Sequence, residues 1–115
     1  MNDETFRDFV CDQLQLLGQA DCRPMFGSYG LYHDDVFFAI LAKGRLYFKT
    51  NTVTRAAYLQ RGMRPFRPNA RQTLKSYYEV PVDILEDHEQ LTVWARHAIA
   101  CQTSRTARRT PRRLR

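Results

Sequence analysis

Three apolar runs separated by two short polar turns occupy most of residues 23–49, and that spacing leaves few folds open. Leu31–His33, Val36–Leu41 and Leu46–Thr50 are too short for helices, and the turns between the runs are Asp34-Asp35 and Lys43-Gly44. Two-residue connections join antiparallel strands, whereas parallel strands need a crossover of about a dozen residues or more. The stretch is therefore predicted to fold as a β-meander. Val36–Leu41 lacks alternation, which marks a central strand covered on both faces. Leu46–Thr50 alternates, with Leu46 and Phe48 on one face and Tyr47 and Lys49 on the other. Ahead of them, Pro24 makes Cys22–Phe26 an edge strand or an extended lead-in. Gly27 and Gly30 bracket Ser28-Tyr29 and are expected to permit a bulge or a positive φ.

Helical signals flank this sheet. Phe6, Phe9, Val10, Leu14 and Leu17 recur at helical spacing over 3–17, with Asn2 or Asp3 as the cap and Gly18 as the terminator. Asn51 or Thr52 starts a second helix that ends at Gly62, with Ala56, Ala57, Tyr58 and Leu59 as its apolar contacts. Pro65 and Pro68 keep the next segment extended. Leu74–Val80 reads as a strand with Leu74, Tyr78 and Val80 inward and Lys75, Tyr77 and Glu79 outward. Capping-box spacing at Asp83–Glu86 predicts a helical turn. A last long helix starts at Asp87 and carries the stripe Leu91, Trp94, Ala95, Ala98 and Ile99. The order α-β-β-β-α-β(β)-α predicts a two-layer α+β domain, an antiparallel sheet with helices on one face. Residues 1–101 form that domain, and 102–115 form an Arg-rich tail that is partly helical or disordered. An exposed edge strand would support a homodimer.

Charge is the next constraint, because it is segregated. Residues 1–35 hold seven acids against Arg7 and Arg23; residues 36–78 hold nine bases and no acid; residues 79–101 hold five acids against Arg96. The formal excess of +6 equals the six arginines of the tail, Arg105, Arg108, Arg109, Arg112, Arg113 and Arg115. Six guanidinium groups on one segment suit sequence-independent phosphate contact, and they suit a solubilising tail equally. The basic middle (Arg55, Arg61, Arg64, Arg67, Arg71) either extends a nucleic-acid surface or pairs with acids of the terminal helices, and pairing is the favoured reading. Cys11, Cys22 and Cys101 are odd in number and widely spaced, which fits a reduced, cytoplasmic chain. No apolar run is long enough to span a membrane, and the acidic N-terminus is not a signal peptide.

Catalytic and metal motifs fail on context. Gly27-Ser28-Tyr29-Gly30 lacks the central serine of a nucleophile elbow, and it leads into a strand rather than joining the two helices of a KH clamp. His33 with Asp34-Asp35, and His97 with Cys101 at helical i, i+4 spacing, each fall short of a full ligand set. No phosphate loop or dinucleotide fingerprint is present. The expectation is no catalytic residue, no metal and no cofactor.

The run Pro24-Met25-Phe26-Gly27-Ser28-Tyr29-Gly30-Leu31-Tyr32, then Phe37–Leu41, then Gly44-Arg45-Leu46-Tyr47-Phe48-Lys49, closely resembles the N-terminal domain of the TfoX/Sxy family of competence regulators. Agreement continues through Tyr77–Pro81, Leu85-Glu86-Asp87, and Leu91 with Trp94-Ala95, covering about residues 4–100. The matching signature positions (Met25, Phe26, Gly27, Tyr29, Gly30, Leu31, Tyr32, Gly44, Leu46, Tyr47 and Lys49) are expected to be mainly structural. The resemblance implies a bacterial, cytoplasmic, non-enzymatic α+β domain that acts through a protein partner in transcription regulation. Full-length members of the family regulate DNA-uptake genes together with the cyclic-AMP-dependent activator protein. The resemblance ends before the family's helical C-terminal domain, and the Arg-rich tail is expected to stand in its place.

Overall fold

The structure is a computed structural model that describes residues 3–25 and 27–113, with the backbone alone described for Asp3 and for 104–113. Helix α1 (Asp3–Gln13) and a 3-10 turn (Gln15–Leu17) stop at Gly18, whose φ of +99° only glycine adopts at little cost. Six strands follow: β1 (Asp21–Met25), β2 (Ser28–His33), β3 (Val36–Ala42), β4 (Arg45–Lys49), β5 (Pro65–Asn69) and β6 (Gln72–Glu79). They form one antiparallel sheet in the order β1-β2-β3-β4-β6-β5. The first four strands are the expected meander. The last hairpin enters in reverse, so β6 pairs with β4 and β5 takes the edge.

Both predicted turns close two-residue hairpins. His33 pairs with Val36 and Ala42 with Arg45, and the four turn residues Asp34, Asp35, Lys43 and Gly44 have φ of 49°, 65°, 53° and 72°. Positive φ at both central positions matches the twist of the flanking strands, and aspartate tolerates it better than most residues.

The lack of alternation in β3 has two physical causes. Leu31 pairs with Ala39 and Tyr32 with Phe37, so Phe38 is an extra residue in a bulge. Phe38 and Ala39 consequently both pack in the main core, while Phe37 and Ile40 pack in a second cluster. The bulge lies just beyond the glycine tetrad rather than inside it. Gly27 does take a φ of +79°, but Gly30 serves another purpose: a Cβ there would lie 2.9 Å from Phe37 Cε1 and 3.3 Å from Tyr32 Cε1. Gly30 is the space into which an aromatic ring fits.

Helix α4 (His88–Arg113) lies across β3 and β4, and the short helix α3 (Val82–Leu85) precedes it. Leu91, Ala95 and Ala98 meet Phe6, Val10 and Leu14 of the N-terminal segment above Leu31, Phe38 and Phe48 of the sheet. Asp87 caps α4: its Oδ1 accepts the Glu89 and Gln90 N–H groups at 3.2 Å, and its Oδ2 accepts from Gln90 Nε2 at 3.0 Å. These hydrogen bonds, that from the Gln90 side chain first, hold the Asp87 carboxyl below the usual carboxylate range. A depressed native pKa means the cap contributes fully above the ordinary Asp range and is lost as pH falls through the native value. Replacing Asp87 with alanine should lower the midpoint of a urea melt at pH 7. The gap to wild type should shrink below about pH 4; a pH-independent gap would mean that the charge on the cap is irrelevant.

Three expectations need correction. Leu74, expected inward, is 39% exposed, whereas Tyr77, expected outward, is 7% exposed in the second cluster with Ile40, Ala42 and Phe66. The face opposite the helices therefore has a small aromatic core of its own. In helix α2 (Thr52–Gln60), only Tyr58 is buried; Ala56, Ala57 and Leu59 are exposed.

Candidate interaction surfaces

The first surface is a groove between α2 and α4. Asn51 and Thr54 form a reciprocal capping box, with Asn51 Oδ1 accepting the Thr54 N–H at 2.8 Å and Thr54 Oγ1 accepting the Asn51 N–H at 2.9 Å. That fixes where α2 begins, but little holds it down. Tyr58 is its single buried anchor, edge-on to Trp94 at 4.8 Å between ring centroids and 6.1 Å from Tyr78. Burial pushes the Tyr58 phenol well above its ordinary pKa, with the Cys101 thiol adding a smaller push. Beside this contact lies a cavity of about 260 Å³ lined by Val53, Ala57, Tyr58 and Trp94, with Lys49, Thr54 and His97 also on the lining. Val53 is 81% exposed and Leu59 56%.

The polar groups at the groove have structural partners. Lys49 Nζ donates to Ser76 Oγ at 2.9 Å and lies 5.2 Å from the Tyr77 ring centroid. Arg61 lies 5.7 Å from the Trp94 ring centroid and donates to Asp83 Oδ2 at 2.6 Å. That hydrogen bond is the main reason the Asp83 carboxyl sits below the usual range. Of the sequence pair His97 and Cys101, His97 lines the groove while Cys101 is buried 3.8 Å from Thr54 Oγ1. Among the described residues, no three His, Cys, Asp or Glu side chains gather as metal ligands would. Cys11 and Cys22, distant in sequence, lie close enough to influence each other's thiol. Burial, reinforced by Cys11, pushes the Cys22 thiol up to about 11, so both remain protonated and weakly nucleophilic at neutral pH.

The second surface is the sheet face opposite the helices, together with the hairpin beyond it. β6 pairs with β4 only through Tyr77–Glu79, so the part of the β5–β6 hairpin from Phe66 to Leu74 reaches past the main sheet as a two-stranded ribbon. Its tip is an Asx turn, in which Asn69 Oδ1 accepts the N–H groups of Arg71 at 2.8 Å and Gln72 at 3.1 Å. Arg64, Arg67, Arg71 and Lys75 are exposed on or beside this ribbon. Among the described residues, no acid lies within ion-pair distance of any of them or of Lys43. The favoured pairing of the basic middle with the acidic helices is therefore corrected. Arg61 reaches Asp83, and Arg45 binds both Glu79 oxygens at 3.0 Å, while Arg55 contacts Thr50 and the Tyr78 ring instead.

The signature positions divide between these surfaces and the core. Leu31 and Leu46 are in the main core with Tyr29 packed against it, and Tyr47 and Met25 border the second cluster. Tyr32 carries the Arg23 guanidinium 4.1 Å from its ring centroid. Phe26, Arg115, and the side chains of Arg105, Arg108, Arg109, Arg112 and Arg113 lie outside the described residues. The groove is not legible in the sequence, because Trp94 and the α2 apolar residues have the spacing of core residues. The available signal was the absence of a full helical stripe around Tyr58. Among the described residues, no helix is long and apolar enough to cross a membrane.

The sequence profile of the TfoX N-terminal domain matches residues 12–102. The chain is 33% identical over 86 residues to the DNA transformation protein TfoX of Haemophilus influenzae, covering 70% of this chain and 40% of that protein. It is 30% identical over 80 residues to the DNA transformation protein TfoX1 of Aliivibrio fischeri, covering 68% and 36% respectively. It thus spans about two fifths of the length of the curated relatives it matches. On the profile match and on both identities, the chain belongs to the TfoX N-terminal domain family.

Proposed function

We propose that this domain is a non-catalytic regulatory adaptor in DNA transformation, which captures a protein partner in the α2–α4 groove. The observation that carries the reading is the groove itself: apolar side chains left exposed beside Trp94, with the neighbouring Arg61 and Lys49 already engaged. Exposed apolar groups around an aromatic anchor are the usual ground of a protein interface. Both relatives are DNA transformation proteins, which supports the process. The partner supplies a short apolar segment, in this reading a component of the transcription machinery, and the domain works in the bacterial cytoplasm. The tail arginines would add sequence-independent phosphate affinity to that role.

Val53 tests the proposal because its 81% exposure makes it dispensable for folding. Val53→Arg should leave the melting curve within about 0.5 kcal/mol of wild type. Capture of a transcription component from native-cell extract should weaken roughly tenfold or more, and transcripts of DNA-uptake genes should change as they do on deletion. Recovery of no transcription component by the wild-type chain, with transcripts unchanged on deletion, would overturn the reading.

A further inference from the structure

A second cavity, of about 230 Å³, opens on the sheet face opposite the helices. Tyr47 and Phe66 line it, with ring centroids 4.8 Å apart and tilted by 51°. Phe66 is buried and Tyr47 half-buried, so the pair is held in place by the aromatic cluster beneath it. The rim carries Lys43 from the β3–β4 turn, Arg45 at the start of β4, and Arg67 from the ribbon. Glu79 neutralises Arg45, but no acid among the described residues lies within ion-pair distance of Lys43 or Arg67. Arg64, Arg71 and Lys75 continue the same unneutralised charge along the hairpin.

An aromatic wall beside a cationic rim, with further cations leading away from it, is what a single strand requires. An unstacked base offers a π-face to an aromatic ring, and the phosphates on either side follow the positive track. A duplex keeps its bases stacked inside, so it could use the ribbon charges but not the cavity. A protein segment with acidic side chains would satisfy Lys43 and Arg67 and leave the aromatic wall without a matching role. We propose that this cavity and the adjoining β5–β6 ribbon form a binding site for single-stranded nucleic acid, with one base against Tyr47 and Phe66 and phosphates on Lys43 and Arg67. The site is separate from the α2–α4 groove and stands whether or not a protein docks there.

The test is fluorescence anisotropy with labelled twelve-nucleotide oligo(dT), oligo(rU) and a twelve-base-pair duplex, across a salt series. The full chain carries serine at the six tail arginines, so that the tail does not contribute. Single strands should bind more tightly than the duplex, and the oligo(dT) and oligo(rU) arms show whether DNA or RNA is preferred. Tyr47→Leu keeps an apolar group in the second cluster but removes the ring; it should weaken single-strand binding roughly fivefold to a hundredfold, while Tyr47→Phe restores it. Lys43→Ala with Arg67→Ala should flatten the dependence of log affinity on log salt by about 1.4, two phosphate contacts at about 0.7 each for a single strand. The emission of Trp94, far from the substitutions on the helix side of the sheet, verifies folding in each variant. Equal affinity for duplex and single strand, undiminished binding by Tyr47→Leu, or no binding by the tail-neutral chain would each overturn the proposal. Val53→Arg should leave this binding unchanged, which separates failure here from failure of the adaptor reading.

Discussion

Replacing Phe48 with alanine should remove about 3–5 kcal/mol of stability. Phe48 is 0% exposed in β4, where it pairs with Ala39 on one side and Tyr78 on the other, and its ring lies 5.9 Å from that of Phe38. The lost transfer energy of the ring adds to the cavity left between sheet and helices, because β3 and α4 cannot both collapse into the space. Domains of this size are stable by about 5–15 kcal/mol in total, so the loss is roughly a fifth of the whole or more. A urea melt should show a lower midpoint with the slope unchanged. A loss below about 1 kcal/mol would mean that the helix side of the sheet is not the cooperative core.

Tyr58→Ala should have a comparable effect on stability and a more specific one on structure. Tyr58 is the single buried residue of α2, so truncating it removes the anchor as well as about 3–5 kcal/mol of aromatic burial. Trp94, the chain's only tryptophan, loses the edge-on partner 4.8 Å away and becomes more hydrated. Its emission should move to longer wavelength before the global transition, and partner capture through the groove should fail with it. Tyr58→Phe keeps the packing and should restore both. The raised phenol pKa adds a pH signature. A phenol kept neutral in the fold contributes fully below the unfolded tyrosine value, about pH 10, and its contribution declines as pH rises beyond that. The wild type should therefore lose stability in alkali more steeply than Tyr58→Phe. Identical alkaline profiles would show that the Tyr58 hydroxyl is not buried in solution.

The two surfaces differ in how far the sequence revealed them. The bases of residues 36–78 were visible as a block without acids, but their distribution was not. Arg61 and Arg45 find carboxylates, whereas Arg64, Arg67 and Arg71 sit around a hairpin that carries them away from the acidic helices. Ion pairing operates over a few ångströms, so it depends on chain placement that charge spacing does not encode. The groove was hidden for a related reason. Trp94 and Tyr58 look like core residues, and they do touch the core, but α2 is seated by Tyr58 alone and its other apolar groups remain outside.

What the sequence by itself determined is local. The hairpin turns at Asp34-Asp35 and Lys43-Gly44, the alternation of β4, the stripe of α1 and the caps at Asn51 and Asp87 depend on neighbours within a few residues. Tertiary structure alone decided the burial of Tyr77 over Leu74, the reversed entry of β5 and β6, and the space at Gly30 that Phe37 fills. In each of these cases the outcome depends on a side chain or strand far away in sequence. Periodicity states that two faces exist; only the assembled sheet shows what each face meets.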